Sequence, residues 1–188
     1  MPRILRTETV YSGYATVRIL TLANEDGSDE HLREVVSFGQ SACVLPYDPR
    51  RRVALVVRLP RAPLLLAGID TPLVEAPAGM VEDGEAAEVT ARREALEEAG
   101  VVLATLEPVG VVWPSPGVLA ERSHLFLAPF GEADRRGEGG GLAQEHEAIT
   151  AAEMPLAELW SLAQEGRLTD LKTLTLVLAL RVRRPELF

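Results

Sequence analysis

At 188 residues with 47% hydrophobic content, the chain is long enough for one solid core, alone or with a small appendage, which excludes a peptide-sized scaffold and a disordered tail. A formal charge of −9 denies it the basic surface that nonspecific binding to nucleic acid or anionic membranes requires, so a polyanionic substrate would have to be met by local cations, most simply divalent metals. The lone cysteine, Cys43 in "SACVLPY", rules out an internal disulfide and suits a reducing compartment as a buried, inert thiol.

From the N-terminus, "MPRILRTETV" lacks a signal-peptide core, and no apolar run reaches the roughly 18 residues of a membrane span, so a soluble cytoplasmic protein is expected. The run "TVYSGYATVRILTLA" alternates apolar and polar residues, turns at "NEDGSD" and returns through "HLREVVSF". With Asp26-Gly27 as the turn, residues 1–39 read as a small antiparallel β unit, too marginal to stand alone. Apolar strands are predicted in "SACVLPYD", "RVALVVRLPR" and "LVEAPAGMV". From Glu85 or Ala86 to Ala99 the residues then follow a helical pattern that Gly100 closes as a C-cap glycine. Two more strands, "LEPVGVVWP" and "RSHLFLAPF", precede a polar, glycine-rich stretch, "GEADRRGEGGGLAQEHEA", expected to be a mobile surface loop. The tail holds two helices, "PLAELWSLAQEG" and "TDLKTLTLVLALRVRR", the second apolar enough to be largely buried.

The helix over 85–99 carries Glu94, Glu97 and Glu98 at spacings of three and four, which project all three carboxylates toward a common face. Like charges so placed repel by a few tenths of a kcal/mol per pair, roughly, unless a cation lies between them. Hard divalent ions are the natural counter-charge, because they take oxygen ligands and can bridge carboxylates to phosphate oxygens. A solvated acidic helix face is the alternative for the glutamates taken alone.

The surrounding spacing decides between the two. Gly79, Glu85, then Arg93-Glu94-Ala95-Leu96-Glu97-Glu98-Ala99-Gly100-Val101 resembles the signature of the Nudix hydrolases, with Ala95 standing where the pattern wants an aliphatic and often larger residue. At background usage of about one in fifteen per fixed residue, chance agreement is on the order of 10⁻⁸. The resemblance implies a strand–loop–helix in which Gly79 opens the loop, Glu85 and Arg93 pair to brace it, and Glu94 and Glu98 hold the metal. Glu97 is implied as an auxiliary ligand and the Ala78 carbonyl as a further contact, with two or three Mg²⁺ or Mn²⁺ ions per site. The fold implied is α+β, an α/β/α sandwich around a mixed sheet over residues 40–188, preceded by the small β unit. In this family branch that unit packs across a homodimer and contributes to the partner's substrate site.

Beyond this box the chain is similar, nearly end to end, to the ADP-ribose pyrophosphatase branch, through "HLREVVSFGQSACVLPYDP", "APAGMVEDGE", "SPGVLAERSH", "QEHEAI" and "EGRLTDLKTLTLVLAL". Pro116 of "WPSPG" lies where ADP-ribose-cleaving members carry proline; GDP-mannose hydrolases share "SPG" and resemble the tail at least as well. By position, Arg61 would hold the substrate diphosphate and Glu121 would lie near the terminal sugar. Arg33 and Glu34 would contact the nucleotide, and Tyr14 would stack on the base. Glu145 would be the catalytic base and Glu147 an acidic helper of the metals. The implied activity is hydrolysis of the diphosphate bond of a nucleoside diphosphate sugar, ADP-ribose to AMP and ribose 5-phosphate in the leading reading, with GDP-mannose as rival. A silent fold that binds a nucleotide as a sensor and a structural or interaction protein with an acidic helix are the readings from other classes.

Overall fold

A computed structural model describes residues 1–141 and 148–188. The chain divides into two compact units, Met1–Gln40 with Trp113–Arg122, and Ser41–Val112 with Ser123–Phe188. The first is an antiparallel sheet in the order β1-β2-β3, formed by β1 (Arg3–Ser12), β2 (Thr16–Ala23) and β3 (His31–Ser37). The alternating run is divided between β1 and β2 at Gly13, whose N–H bonds the Ala15 carbonyl at 3.0 Å. A side chain there would collide with the folded-back Tyr11 ring, since a Cβ would lie 2.4 Å from its hydroxyl. The segment 113–122 joins this unit by backbone bonds from Val36 N–H to Val118 O (2.9 Å) and from Ala120 N–H to Val36 O (2.8 Å).

The second unit is built on a seven-stranded sheet in the order β10-β5-β4-β9-β8, with β6 on β5 and β7 on β4. Its strands are β4 (Gln40–Asp48), β5 (Val53–Leu59), β6 (Leu73–Glu75), β7 (Ala78–Met80), β8 (Glu107–Val112), β9 (Arg122–Pro129) and β10 (Thr150–Pro155). The helices are α1 (Ala62–Leu66), α2 (Ala87–Ala99), α3 (Leu156–Gln164) and α4 (Leu171–Arg183). Period-2 geometry sends alternate side chains of each strand to opposite faces. Accordingly Cys43, Leu45, Ala54, Val56, Leu125 and Leu127 pack with Leu156, Leu159, Leu176 and Leu180 of α3 and α4. Their neighbours Ala42, Val44, Leu55, Phe126 and Ala128 pack with Ala87, Ala91, Ala95 and Ala99 of α2 on the other face. The result is the α/β/α sandwich that the sequence implies.

Three expectations are corrected. "LVEAPAGMV" is two short strands, β6 and β7, because Pro77 between them has no N–H to give a ladder. Helix α4 is half-buried: Thr173, Leu176, Val177 and Leu180 face the sheet, whereas Leu171, Leu178 and Val182 are exposed, as a helix with a partner on one side only must be. The glycine-rich stretch is tied down through residue 141. Residues Glu132–Asp134 form a 3-10 turn, Arg135 bridges to Val101, and Gly140 and Gly141 bond the end of α2. Helix α1 and strand β10 were not expected from the sequence. Among the described residues no helix is long and apolar enough to cross a membrane.

Candidate active site

Helix α2 buries two adjacent rows of residues spaced by four. Ala87, Ala91, Ala95 and Ala99 form the row that lies on the sheet, and their small side chains bring the helix axis close to it. Thr90, Glu94 and Glu98 form the second row. Glu94 and Glu98 are only 9% and 5% exposed, which a solvated acidic face would not be. Low helical amphipathicity follows, because the buried side of α2 holds alanines and charges instead of large apolar groups.

Strand β7 faces this second row. The Ala78 N–H donates to Glu98 Oε2 at 3.0 Å. Glu94 lies against Gly79 so closely that a Cβ on residue 79 would sit 1.8 Å from Glu94 Oε1 and 2.2 Å from its carboxyl carbon. The glycine is therefore required for space, not for an unusual φ. Opposite, Arg93 donates from Nη1 to Glu94 Oε1 at 2.7 Å and to Glu97 Oε2 at 3.3 Å, and from Nη2 to the Met80 carbonyl at 3.3 Å. The same Nη2 is 3.6 Å from Glu85 Oε2, which also accepts from the Thr90 hydroxyl at 2.6 Å. The Thr90 hydrogen bond is the main cause holding the Glu85 carboxyl below its usual range. One guanidinium thus serves Glu85, Glu94 and Glu97, and its buried Nε makes no hydrogen bond among the described residues.

These residues suit a hard divalent cation. Four carboxylates with one arginine between them leave excess negative charge in a partly buried place, and oxygen is the only donor type that they offer. Among the described residues no three His, Cys, Asp or Glu side chains close a ready-made cage. Cys43 is fully buried, its Sγ directed at the Ala76 carbonyl at 3.6 Å, and burial pushes the thiol far above its ordinary range, so no thiolate is offered.

A second charged group is built around Glu75 of β6, the strand that precedes β7. Arg61, at the N-terminus of α1, donates from Nε and Nη2 to the two oxygens of Glu75 at 2.8 and 3.0 Å. Glu75 is 2% exposed and has Lys172 Nζ 3.5 Å from its Oε2. Lys172 bonds Asp170 at 2.6 Å, and Asp170 caps α4 by accepting from the Thr173 N–H and hydroxyl. The Thr173 hydroxyl in turn accepts from the Ala76 N–H at 2.7 Å, two residues before Ala78. Sequence reasoning missed Glu75, Asp170, Lys172 and Thr173; only the Asp170-to-Thr173 capping spacing was there to be read.

Five further expected residues, Tyr14, Arg33, Glu34, Pro116 and Glu121, lie in the first unit. Arg33 and Glu34 are exposed on β3, with Arg33 Nη1 donating to the Leu32 carbonyl at 2.9 Å. Tyr14 is 85% exposed, its ring centroid 5.8 Å from that of Phe38. Pro116 stands in the turn after Ser115, on the rim of an open cavity of about 380 Å³ lined also by Val35, Trp113 and Leu119. Glu121, part-buried, is the last residue but one of the segment 113–122. Glu145 and Glu147 lie outside the described residues.

A buried, paired glutamate face on α2, opposed by a glycine strand inside an α/β/α sandwich, defines a Nudix-type centre. The NUDIX domain model matches residues 37–176, and the chain belongs to the Nudix hydrolase family, whose members are generally dependent on a divalent metal. It is 35% identical to a GDP-mannose pyrophosphatase of Cronobacter sakazakii over 96% of this chain and 95% of the relative. An ADP-ribose pyrophosphatase of Escherichia coli is 34% identical over 89% of this chain and 81% of that protein. A solved structure of an ADP compounds hydrolase superposes with a TM-score of 0.77 at 17% identity, covering 98% of this chain and 95% of the other, and shares the fold.

Proposed function

We propose that this Nudix hydrolase cleaves the diphosphate bond of a nucleoside diphosphate sugar, with ADP-ribose, giving AMP and ribose 5-phosphate, as the leading substrate. The buried Glu94 and Glu98 on α2, with Gly79 giving them room, are the observation that carries the hydrolytic reading. Glu94 and Glu98, assisted by Glu97 and the Ala78 carbonyl, would hold two or three Mg²⁺ or Mn²⁺ ions. When bound there, such ions neutralise the diphosphate and make a water more acidic.

The chain's own groups do the rest. Arg93 keeps the carboxylates apart and oriented through its bonds to Glu94 and Glu97. Arg61, oriented by Glu75, binds the diphosphate, and Glu145 takes the proton of the attacking water, with Glu147 beside it. Tyr14, Arg33, Glu34, Pro116 and Glu121 contact the nucleotide and sugar. The same reading carries a homodimer, by family resemblance, and a cytoplasmic location, which the single cysteine, Cys43, suits. GDP-mannose is kept as the second substrate because a relative named for it is 35% identical over 96% of this chain.

Product formation from ADP-ribose, GDP-mannose, UDP-glucose, dinucleoside polyphosphates and NADH, with Mg²⁺ or Mn²⁺, tests this. Preferential cleavage of ADP-ribose, lost in Glu98→Gln and Glu145→Gln, is expected. Preference for GDP-mannose would overturn the substrate and keep the chemistry; no turnover of any compound with either metal would overturn the hydrolytic reading.

A further inference from the structure

An α-helix leaves its last four carbonyls without intrahelical partners and carries a partial negative charge at that end. Helix α2 makes this worse. It places Glu97 and Glu98 in its final turn and has no basic residue there. Its own continuation satisfies the carbonyls of Ala95 and Leu96, through the N–H groups of Val101 and Gly100. The next four acceptors are all filled from one short segment. The Gly141 N–H donates to Glu97 O at 3.0 Å, the Gly140 N–H to Glu98 O at 2.8 Å and the Arg136 N–H to Gly100 O at 2.7 Å. The Arg135 guanidinium donates to Ala99 O at 2.8 Å and adds the positive charge that the helix lacks.

The approach is close enough to dictate residue type. Gly139 has φ +77°, and a Cβ on it would lie 2.2 Å from the Glu98 carbonyl oxygen; at Gly100, φ +64°, a Cβ would lie 2.3 Å from the Gly137 carbonyl oxygen. Gly137, in the same run, has nothing within 4 Å of its would-be Cβ and no positive φ. The glycines therefore differ in function, as a flexible linker's would not.

We propose that residues 135–141 form a positioning clamp on the last turn of α2, fixing the backbone from which Glu97 and Glu98 present their carboxylates to the divalent cation. Gly139 supplies the close approach and Arg135 the compensating charge. The inference rests on Glu94 and Glu98 being the metal ligands.

Binding of Mn²⁺ alone, followed by electron paramagnetic resonance beside thermal unfolding, tests the clamp without turnover. Gly139→Ala is expected to weaken Mn²⁺ binding about 10-fold, as loss of a ligand-orienting contact does, while Gly137→Ala binds as the unaltered protein does. Wild-type binding by Gly139→Ala, or equal weakening by Gly137→Ala, would overturn the clamp. Should Gly139→Ala not fold, Arg135→Ala is expected to weaken Mn²⁺ binding severalfold and Arg135→Lys, which can still donate to the Ala99 carbonyl, to restore most of it; wild-type binding by Arg135→Ala would overturn the proposal. Glu98→Gln separates the two levels. If it abolishes Mn²⁺ binding while Gly139→Ala and Arg135→Ala leave it intact, the clamp alone is wrong; if Glu98→Gln itself binds normally, the ligand assignment falls and takes the clamp with it.

Discussion

Gly79 and Glu94 show how one absent methyl group can set a site. Because a Cβ at position 79 would lie 1.8 Å from Glu94 Oε1, Gly79→Ala has to push that carboxylate away from β7. Turnover is expected to fall roughly 100-fold with the fold retained, since a displacement near 1 Å costs about that much; kcat and circular dichroism of the variant check it. Asp170 shows the opposite case, a charge held by several partners. Its burial alone would raise its pKa, but the Lys172 charge and the hydrogen bonds from Lys172 and Thr173 win and hold it below its ordinary value near 3.8. A depressed folded pKa gives stability that is fully present above the unfolded value and is lost as pH falls through the folded one. Asp170→Asn, which keeps a cap oxygen but removes the charge paired with Lys172, should therefore cost about 2–3 kcal/mol near neutrality, and this deficit should shrink as the pH falls through the depressed folded value. Urea unfolding of both proteins across that range measures it. At this scale the sequence revealed pairs that helical spacing sets, such as Glu94 with Glu98. It could not reveal Glu75 with Lys172, whose meeting depends on how α4 returns to β6.

Helix α2 shows which parts of an element are written locally. Its stop was legible, because Gly100 adopts the left-handed conformation that closes a helix, whereas its start at Ala87 falls one or two residues after the Glu85 or Ala86 expected. Its purpose on the sheet side was less so, since four alanines carry little hydrophobic signal. They are fully or almost fully buried, and their small size sets the distance between helix and sheet. Ala91→Leu is expected to lower stability by about 1–3 kcal/mol, because added methylenes meet a face already filled by Ala42, Val44 and Leu55. Chemical denaturation would check this, and an unchanged midpoint would mean that the face has room. Helix α1 and strand β10 escaped the sequence reading for the same reason. Five residues of "APLLL" and six of "TAAEMP" are too short for either period to stand out, and β10 forms because Val53–Arg58 offers it a ladder.

For the whole molecule, burial is uneven between the two units. Every residue of β1 is exposed, whereas β4 is buried from Ser41 to Asp48 and β9 from Leu125 to Ala128. Native-state hydrogen exchange should follow, with β4, β5 and β9 opening only near global unfolding and the amides of β1 exchanging orders of magnitude faster. Uniform protection across both sheets in the monomer would contradict this; protection of β1 that grows with protein concentration would support the proposed homodimer. The sequence by itself determined the family, the helix that carries the clustered glutamates and the alternation that sends strand residues to two helical layers, because these rest on periods of two and three to four residues and on a locally spaced motif. Only the tertiary structure decided that 113–122 joins the first unit, that Glu75 links Arg61 to Lys172, and that a glycine run readable as a flexible loop docks on the carbonyls of α2. Each of those is a contact between segments far apart in the chain, and such contacts are set by packing and unsatisfied hydrogen bonds that leave no periodic trace in the sequence.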